Sequence, residues 1–107
     1  MTPKYSLLTT VYDTSPSYFL ALATDLLRLE RTDFEWVLLD NGSSAAGTLA
    51  ALEAVGSDPR VRLSRVPENL GIIGGMRAVF EQAQGRYILP LDSDDLLAPG
   101  FLEAVDQ

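Results

Sequence analysis

With 107 residues, 47% of them hydrophobic and 21% charged, and a formal charge of −7, the chain is sized for one packed domain or part of one. The acidic balance argues against nucleic-acid binding, which needs a basic footprint. The absence of Cys and His excludes disulfides, thiolate nucleophiles, zinc knuckles, imidazole bases and Ser-His-Asp triads. Any metal must therefore be held by oxygen, which favours magnesium, manganese or calcium. Any general base is a carboxylate, or else Tyr or Lys. No apolar run is long enough to span a membrane, and Met1-Thr2-Pro3-Lys4 leads into no signal-peptide core. A cytoplasmic chain is expected.

Tyr5 to Val11, bounded by Pro3 and by Asp13-Thr14-Ser15-Pro16, reads as the first strand. A helix follows, with Ser15 as N-cap and Pro16 at the first helical position, where its missing N–H costs nothing. Phe19, Leu22, Ala23 and Leu26 recur at helical spacing, and this helix should fade near Arg31-Thr32-Asp33. Phe34 to Leu39 is the second strand, closed by Asp40-Asn41-Gly42-Ser43-Ser44. A short helix over about Thr48 to Val55 ends at Gly56-Ser57-Asp58-Pro59. Val61 to Val66 alternates apolar and polar, as a strand with one wet face does. After a loop from Pro67 to Gly71, a helix carries Ile72, Met76, Val79, Phe80 and Ala83 as its buried stripe and ends at Gly85. Tyr87 to Leu91 is the fourth strand, read as buried, and Pro99-Gly100-Phe101-Leu102 opens a last helix. Regular β-α alternation predicts an α/β fold, Rossmann-like, with a mostly parallel sheet.

In such sheets ligands bind beyond the carboxyl ends of the strands, and the unusual polar residues fall there. Thr10-Val11-Tyr12-Asp13, Asp40-Asn41-Gly42-Ser43, Glu68-Asn69 and Asp92-Ser93-Asp94-Asp95 each follow a strand. The last cluster reads either as a site for a hard cation and, through it, a diphosphate, or as an acidic loop capping the next turn. Asp40-Asn41-Gly42-Ser43 is also a good tight-turn sequence. Gly71, Gly74 and Gly75 suggest close approach of a ligand to a helix N-terminus. Arg77, placed in the first turn of that helix, runs against the macrodipole preference unless it meets an anion. Competing signatures fail. A calcium loop needs an oxygen ligand where Leu96 stands and glycine where Leu97 stands. A receiver domain needs a phosphoacceptor where Val66-Pro67 stands. A dinucleotide-binding domain needs its glycine turn after the first strand.

The ordered series resembles the family 2 glycosyltransferases of GT-A fold. It comprises Thr10-Val11-Tyr12, Asp33-Phe34-Glu35, Leu39-Asp40-Asn41-Gly42-Ser43, Asp58-Pro59-Arg60-Val61-Arg62, Glu68-Asn69-Leu70-Gly71, the Arg77 turn, Gly85-Arg86-Tyr87-Ile88 and Leu91-Asp92-Ser93-Asp94-Asp95-Leu96-Leu97. The resemblance covers nearly the whole chain. It implies inverting, metal-dependent transfer of a sugar from a nucleotide-diphosphate sugar to the hydroxyl of a saccharide or lipid-linked acceptor, in cell-wall or polysaccharide synthesis. Thr10, Tyr12, Asp40 and Asn41 would line the nucleoside pocket, and Arg77 would lie near the base or diphosphate. Asp92 would approach the ribose or the metal, and Asp94 would be the principal ligand of Mg2+ or Mn2+.

Asn41 stands where many members carry a second Asp, Ala78 where Asn is common, and Thr10 where Pro is frequent. Asp-Asn-Gly-Ser followed by Asn-x-Gly-x-x-Gly-Gly is similar to rhamnosyl- and galactofuranosyl-transferase-like members, which implies a uridine- or deoxythymidine-linked sugar. Members continue well past the metal motif, into a half that supplies the acceptor contacts and the carboxylate base. Residues 1–107 are accordingly expected to be the donor-binding half of a truncated GT-A domain, binding nucleotide weakly, with its base beyond the C-terminus. The full-length protein would be cytoplasmic or at the inner face of the membrane. The alternatives are a stand-alone nucleotide- or metal-binding module and a nucleotidyltransferase. The latter usually carries a glycine-rich basic loop where Asp13-Thr14-Ser15-Pro16 stands.

Overall fold

The structure is a computed structural model and describes residues 2–97 and 100–106. The elements run β1 (Tyr5–Val11), α1 (Pro16–Leu27), β2 (Phe34–Asn41), α2 (Ala46–Val55), β3 (Val61–Val66), α3 (Gly71–Gln82), β4 (Tyr87–Pro90) and α4 (Phe101–Val105). The strands form one sheet in the order β3-β2-β1-β4, and every pairing is parallel. The predicted start of the last helix at Pro99 lies outside the described residues.

Alternation along the two central strands sends side chains to opposite faces of the sheet. Leu7, Trp36 and Leu38 pack with Phe19, Leu22 and Leu26 of α1, Leu52 of α2 and Leu102 of α4. Leu8, Val37 and Leu39 point the other way, onto Val79 of α3. With both faces covered, β1 and β2 are buried along nearly their whole length, polar residues included, as central parallel strands are. Trp36 anchors the larger layer, its ring 5.8 Å from that of Phe19 and its indole N–H donating to Thr9 Oγ at 2.9 Å.

Several expectations need correction, beginning with α1, which ends at Leu27 and not near Arg31. β4 is an exposed edge strand, because the chain places it outside β1 with no described strand beyond it. The stripe expected on α3 is covered only in part: Val79 is buried, Met76 and Ala83 are half-buried, and Ile72 and Phe80 are 86% and 60% exposed. α3 rests Val79 on β1 and β2, and the flank that overhangs β4 meets no further strand among the described residues. Ser15 occupies the N-cap of α1, but its hydroxyl faces that of Ser17 at 3.1 Å and makes no cap bond. α2 begins at Ala46, two residues early. Its entering N–H groups, Ser44 and Ala45, donate to Asp13 Oδ1 at 2.8 and 2.9 Å, a carboxylate from a different loop.

Candidate functional site

β2 and β3 lie on one side of β1 and β4 on the other, so strand order reverses between β1 and β4. That reversal opens a crevice beyond the carboxyl ends of the strands. The loop after β1 and the loop after β4 flank it, joined across the gap by a hydrogen bond of 2.7 Å between the Thr14 and Ser93 hydroxyls. Polar ties fix the neighbouring loops to the same rim. Asp13, at φ +50°, accepts from the Ser44 and Ala45 N–H groups, and its own N–H donates to Ser43 Oγ at 2.9 Å. The N–H donors of Ala45 and Ser44 hold the Asp13 carboxyl below the usual carboxylate range. Gly42, at φ +85°, lies so close to the β3–α3 loop that an added Cβ would stand 2.7 Å from Asn69 N.

The predicted site residues fall on this rim in different states. Thr10 is half-buried at the tip of β1, and Tyr12 stands 57% exposed just beyond it. Asp40 is 1% exposed. Its Oδ1 accepts from Ser43 N at 2.9 Å and its Oδ2 from Arg65 Nε at 2.8 Å, so it closes the turn that carries Gly42. Asn41 is also buried, and its carboxamide bonds to the backbone at Leu70 and Gly71. Arg77 lies in the second turn of α3, not the first, which removes the macrodipole argument for an anion there. It lines an open apolar groove with Ile73, Phe80 and Ile88. The helix glycines serve the protein's own packing. A Cβ on Gly74 would stand 2.9 Å from Leu70 Cβ and one on Gly75 2.8 Å from Asn41 Nδ2, while Gly71 takes φ +77° at the helix entrance.

The acidic cluster divides by role. Asp95 Oδ2 accepts from Asp92 N at 2.8 Å, and Asp95 N donates to Asp92 O at 3.1 Å, so Asp95 shapes the turn. The carboxylates of Asp92 and Asp94 are exposed and make no hydrogen bond or ion pair to the described residues. Two free carboxylates at a crevice suit a hard cation. No group of three acidic side chains converges among the described residues. An ion at this position would be held by one or two carboxylates and completed by substrate phosphate, as magnesium commonly is.

A cavity of about 580 Å³ lies at the opposite rim, lined by Lys4, Glu35, Arg60, Arg62 and Arg86 among others. Three of its cations have acidic partners, Lys4 with Asp106, Arg60 with Asp58 and Arg62 with Glu35, and Arg86 lies over the Tyr87 ring. That end serves stability. Arg60 also donates to the Leu27, Leu29 and Arg31 carbonyls, which gives the Asp58-Pro59-Arg60 motif a structural task.

Sequence reasoning passed over Thr14 and Ser93 as the bridge and Asp13 and Ser43 as the tie. Their only signal was hydroxyl and carboxyl residues recurring after strands. Arg65 was also missed, and Arg65→Ala is expected to destabilise the fold by about 1–2 kcal/mol in urea unfolding. The low figure reflects an Arg65 side chain that is largely in solvent, although the carboxylate it leaves behind is buried.

Over residues 6–105 the chain matches the model of a family described as Glycosyl transferase family 2. It is 34% identical over 100 residues to the succinoglycan biosynthesis protein ExoO of Rhizobium meliloti, covering 94% of this chain and 28% of that protein. It is 30% identical over 102 residues to the putative glycosyltransferase EpsH of Bacillus subtilis, covering 95% and 29%. Among solved structures, S. aureus TarS 1–349 in complex with UDP superposes with a TM-score of 0.83 at 27% identity, over 96% of this chain and 31% of that one. The mannosyltransferase PcManGT of Pyrobaculum calidifontis, in complex with GDP-Man and Mn2+, gives a TM-score of 0.79 over 95% and 31%, and at 21% identity the likeness is one of fold. The chain thus spans less than a third of the length of these proteins.

Proposed function

The chain belongs to glycosyl transferase family 2 and has the GT-A fold, and we propose that its rim of linked loops is the donor pocket for a nucleotide-diphosphate sugar. The observation that carries this reading is the Thr14–Ser93 bridge across the strand-order reversal, with the carboxylates of Asp92 and Asp94, which have no partner among the described residues, on either side of Ser93 in the chain. Tyr12 offers an exposed aromatic face on which a base can stack, and the half-buried Thr10 offers a hydroxyl beside it. Asp40 and Asn41 form the floor of the nucleoside end. Arg77 supplies a cation on the α3 side, Asp92 stands at the ribose or cation, and Asp94 is the principal cation ligand.

Asp92 and Asp94 would hold Mg2+ or Mn2+, which supplies positive charge to a diphosphate leaving group. The reaction proposed for the whole protein is inverting transfer to a saccharide or lipid-linked hydroxyl in polysaccharide assembly. The residues assigned here account for donor binding, and none is assigned as the base. The solved relatives bound to UDP and to GDP-Man support a nucleotide-sugar donor, and a uridine or deoxythymidine donor is preferred for this chain. No helix among the described residues is long and apolar enough to cross a membrane.

Thermal melting with UDP, dTDP, GDP or ADP, with and without Mn2+, tests the proposal. A Mn2+-dependent stabilisation is expected, largest for UDP or dTDP, reaching about 2.7 kcal/mol at ~100 times the dissociation constant. Melting curves unmoved by any of the four, with or without Mn2+, would contradict it.

A further inference from the structure

We propose that Asn41 is a positioning residue: its carboxamide clamps the β3–α3 loop and the start of α3 onto the tips of β1 and β2, rather than reading the base itself. The inference rests on the donor-pocket reading above. Asn41 is only 4% exposed. Its Oδ1 accepts from Leu70 N at 2.9 Å, and its Nδ2 donates to Gly71 O at 3.2 Å. A backbone N–H can only donate and a carbonyl can only accept, so these two partners fix the orientation of the carboxamide.

Gly75 backs the same group. A Cβ there would stand 2.8 Å from Asn41 Nδ2 and 3.2 Å from Thr10 Cγ2, so α3 approaches both strand tips through a residue without a side chain. Gly42, the next residue along, meets Asn69 at equally close range. The tip of β2 is thus tied to the loop twice in succession, and the distance between α3 and the crevice depends on it.

The chemistry accounts for Asn at this position. A carboxylate would keep the Leu70 bond but turn an anionic oxygen toward the Gly71 carbonyl inside a buried site. Only a protonated Asp could donate as Asn41 does. Burial and the carbonyl would therefore raise the native pKa of an Asp at this position above its unfolded value. The charged groups on the surrounding elements are Glu35 and Asp40 of β2, Arg62 and Arg65 of β3, Glu68 of the loop, and Arg77 and Glu81 of α3; Glu35 is already paired with Arg62 and Asp40 with Arg65. With a raised native pKa, the penalty is smallest at low pH and grows as pH rises through that value.

The test measures binding of UDP, dTDP, GDP and ADP with Mg2+ to wild type, Asn41→Asp and Gly75→Ala, near pH 8 and near pH 5.5. For Asn41→Asp near pH 8 we expect an affinity loss of about tenfold, the worth of one buried hydrogen bond, and the same for all four nucleotides. The loss should shrink near pH 5.5. Gly75→Ala, which leaves Asn41 in place, should show a uniform loss at both pH values, independent of how well Asn41→Asp folds. Reordered nucleotide preference, or wild-type affinity, in Asn41→Asp overturns the inference. Amide hydrogen exchange supplies a readout without nucleotide. Leu70 N–H should be protected in wild type and lose protection in the variant, and an unprotected Leu70 in wild type overturns the clamp. Wild type that binds none of the four nucleotides overturns the pocket reading instead.

Discussion

Asp94→Ala is expected to abolish the Mn2+-dependent part of the stabilisation that UDP gives the wild-type chain. At saturating ligand that part corresponds to about 2.7 kcal/mol at ~100 times the dissociation constant, or roughly 10 °C or more in melting temperature for a domain of this size. Without ligand the variant should melt close to wild type, because the Asp94 carboxylate is exposed and makes no bond to the described residues. Surface changes of that kind are worth about ±0.5 kcal/mol. Asp95→Ala supplies the contrast. It removes the acceptor for Asp92 N and should loosen the turn while retaining part of the Mn2+ dependence. Equal Mn2+-dependent shifts in wild type and Asp94→Ala would remove Asp94 from the cation site.

Glu35→Ala should lower stability by about 3 kcal/mol in denaturant unfolding, without involving the crevice. Glu35 is 5% exposed and accepts from Ser6 Oγ at 2.5 Å, Gln84 N at 2.7 Å and Arg62 Nη1 at 2.9 Å. Ser6 Oγ in turn accepts from Gly85 N at 2.7 Å. A Cβ on Gly85 would stand 2.6 Å from Ser6 N, so the chain entering β4 is pressed onto β1 at this network. Removing the carboxylate leaves Ser6 Oγ–H and the Gln84 N–H without their acceptor, and leaves Arg62 with the Gln82 carbonyl alone. Breaking a buried pair costs about 3–5 kcal/mol, and the low end applies because the Arg62 side chain is 39% exposed.

The same network sets a pH dependence. Burial opposes ionisation of Glu35, but the bonds from Ser6, Gln84 N–H and Arg62 outweigh it and hold the carboxyl below its ordinary value. The native state therefore binds this proton less tightly than the unfolded chain does. The contribution is full above the unfolded pKa of about 4.3 and is lost as pH falls through the lower native value. Comparing unfolding of wild type and Glu35→Gln from neutral to acid should show their difference shrinking over that interval. A difference independent of pH would contradict the assigned network.

The strands were legible where local pattern and tertiary role coincide. Tyr5–Val11 and Val61–Val66 are bounded by turn residues, and Pro16 marks the start of α1, so those limits match the observed ones. The strand-end polar clusters, read from position alone, do share one rim. What the chain did not disclose depends on contacts between distant segments. Ile72 and Phe80 have helical spacing with Val79, yet only the order β3-β2-β1-β4 decides which of them is covered. The early start of α2 is set by Asp13, about thirty residues upstream, and the buried state of Asn41 by a loop about as far downstream. The motif series also divides in space. Asp33-Phe34-Glu35 and Asp58-Pro59-Arg60 brace the rim opposite the crevice, a separation that chain order alone does not reveal.

The most direct test is an amide NMR titration of the wild-type chain with UDP and Mg2+. The donor-pocket account predicts shift changes concentrated at residues 10–14, 40–43, 69–77 and 91–95, with those at 92–95 requiring Mg2+. Changes centred instead on Lys4, Glu35, Arg62 and Arg86 at the opposite cavity, or no changes at saturating UDP and Mg2+, would contradict it.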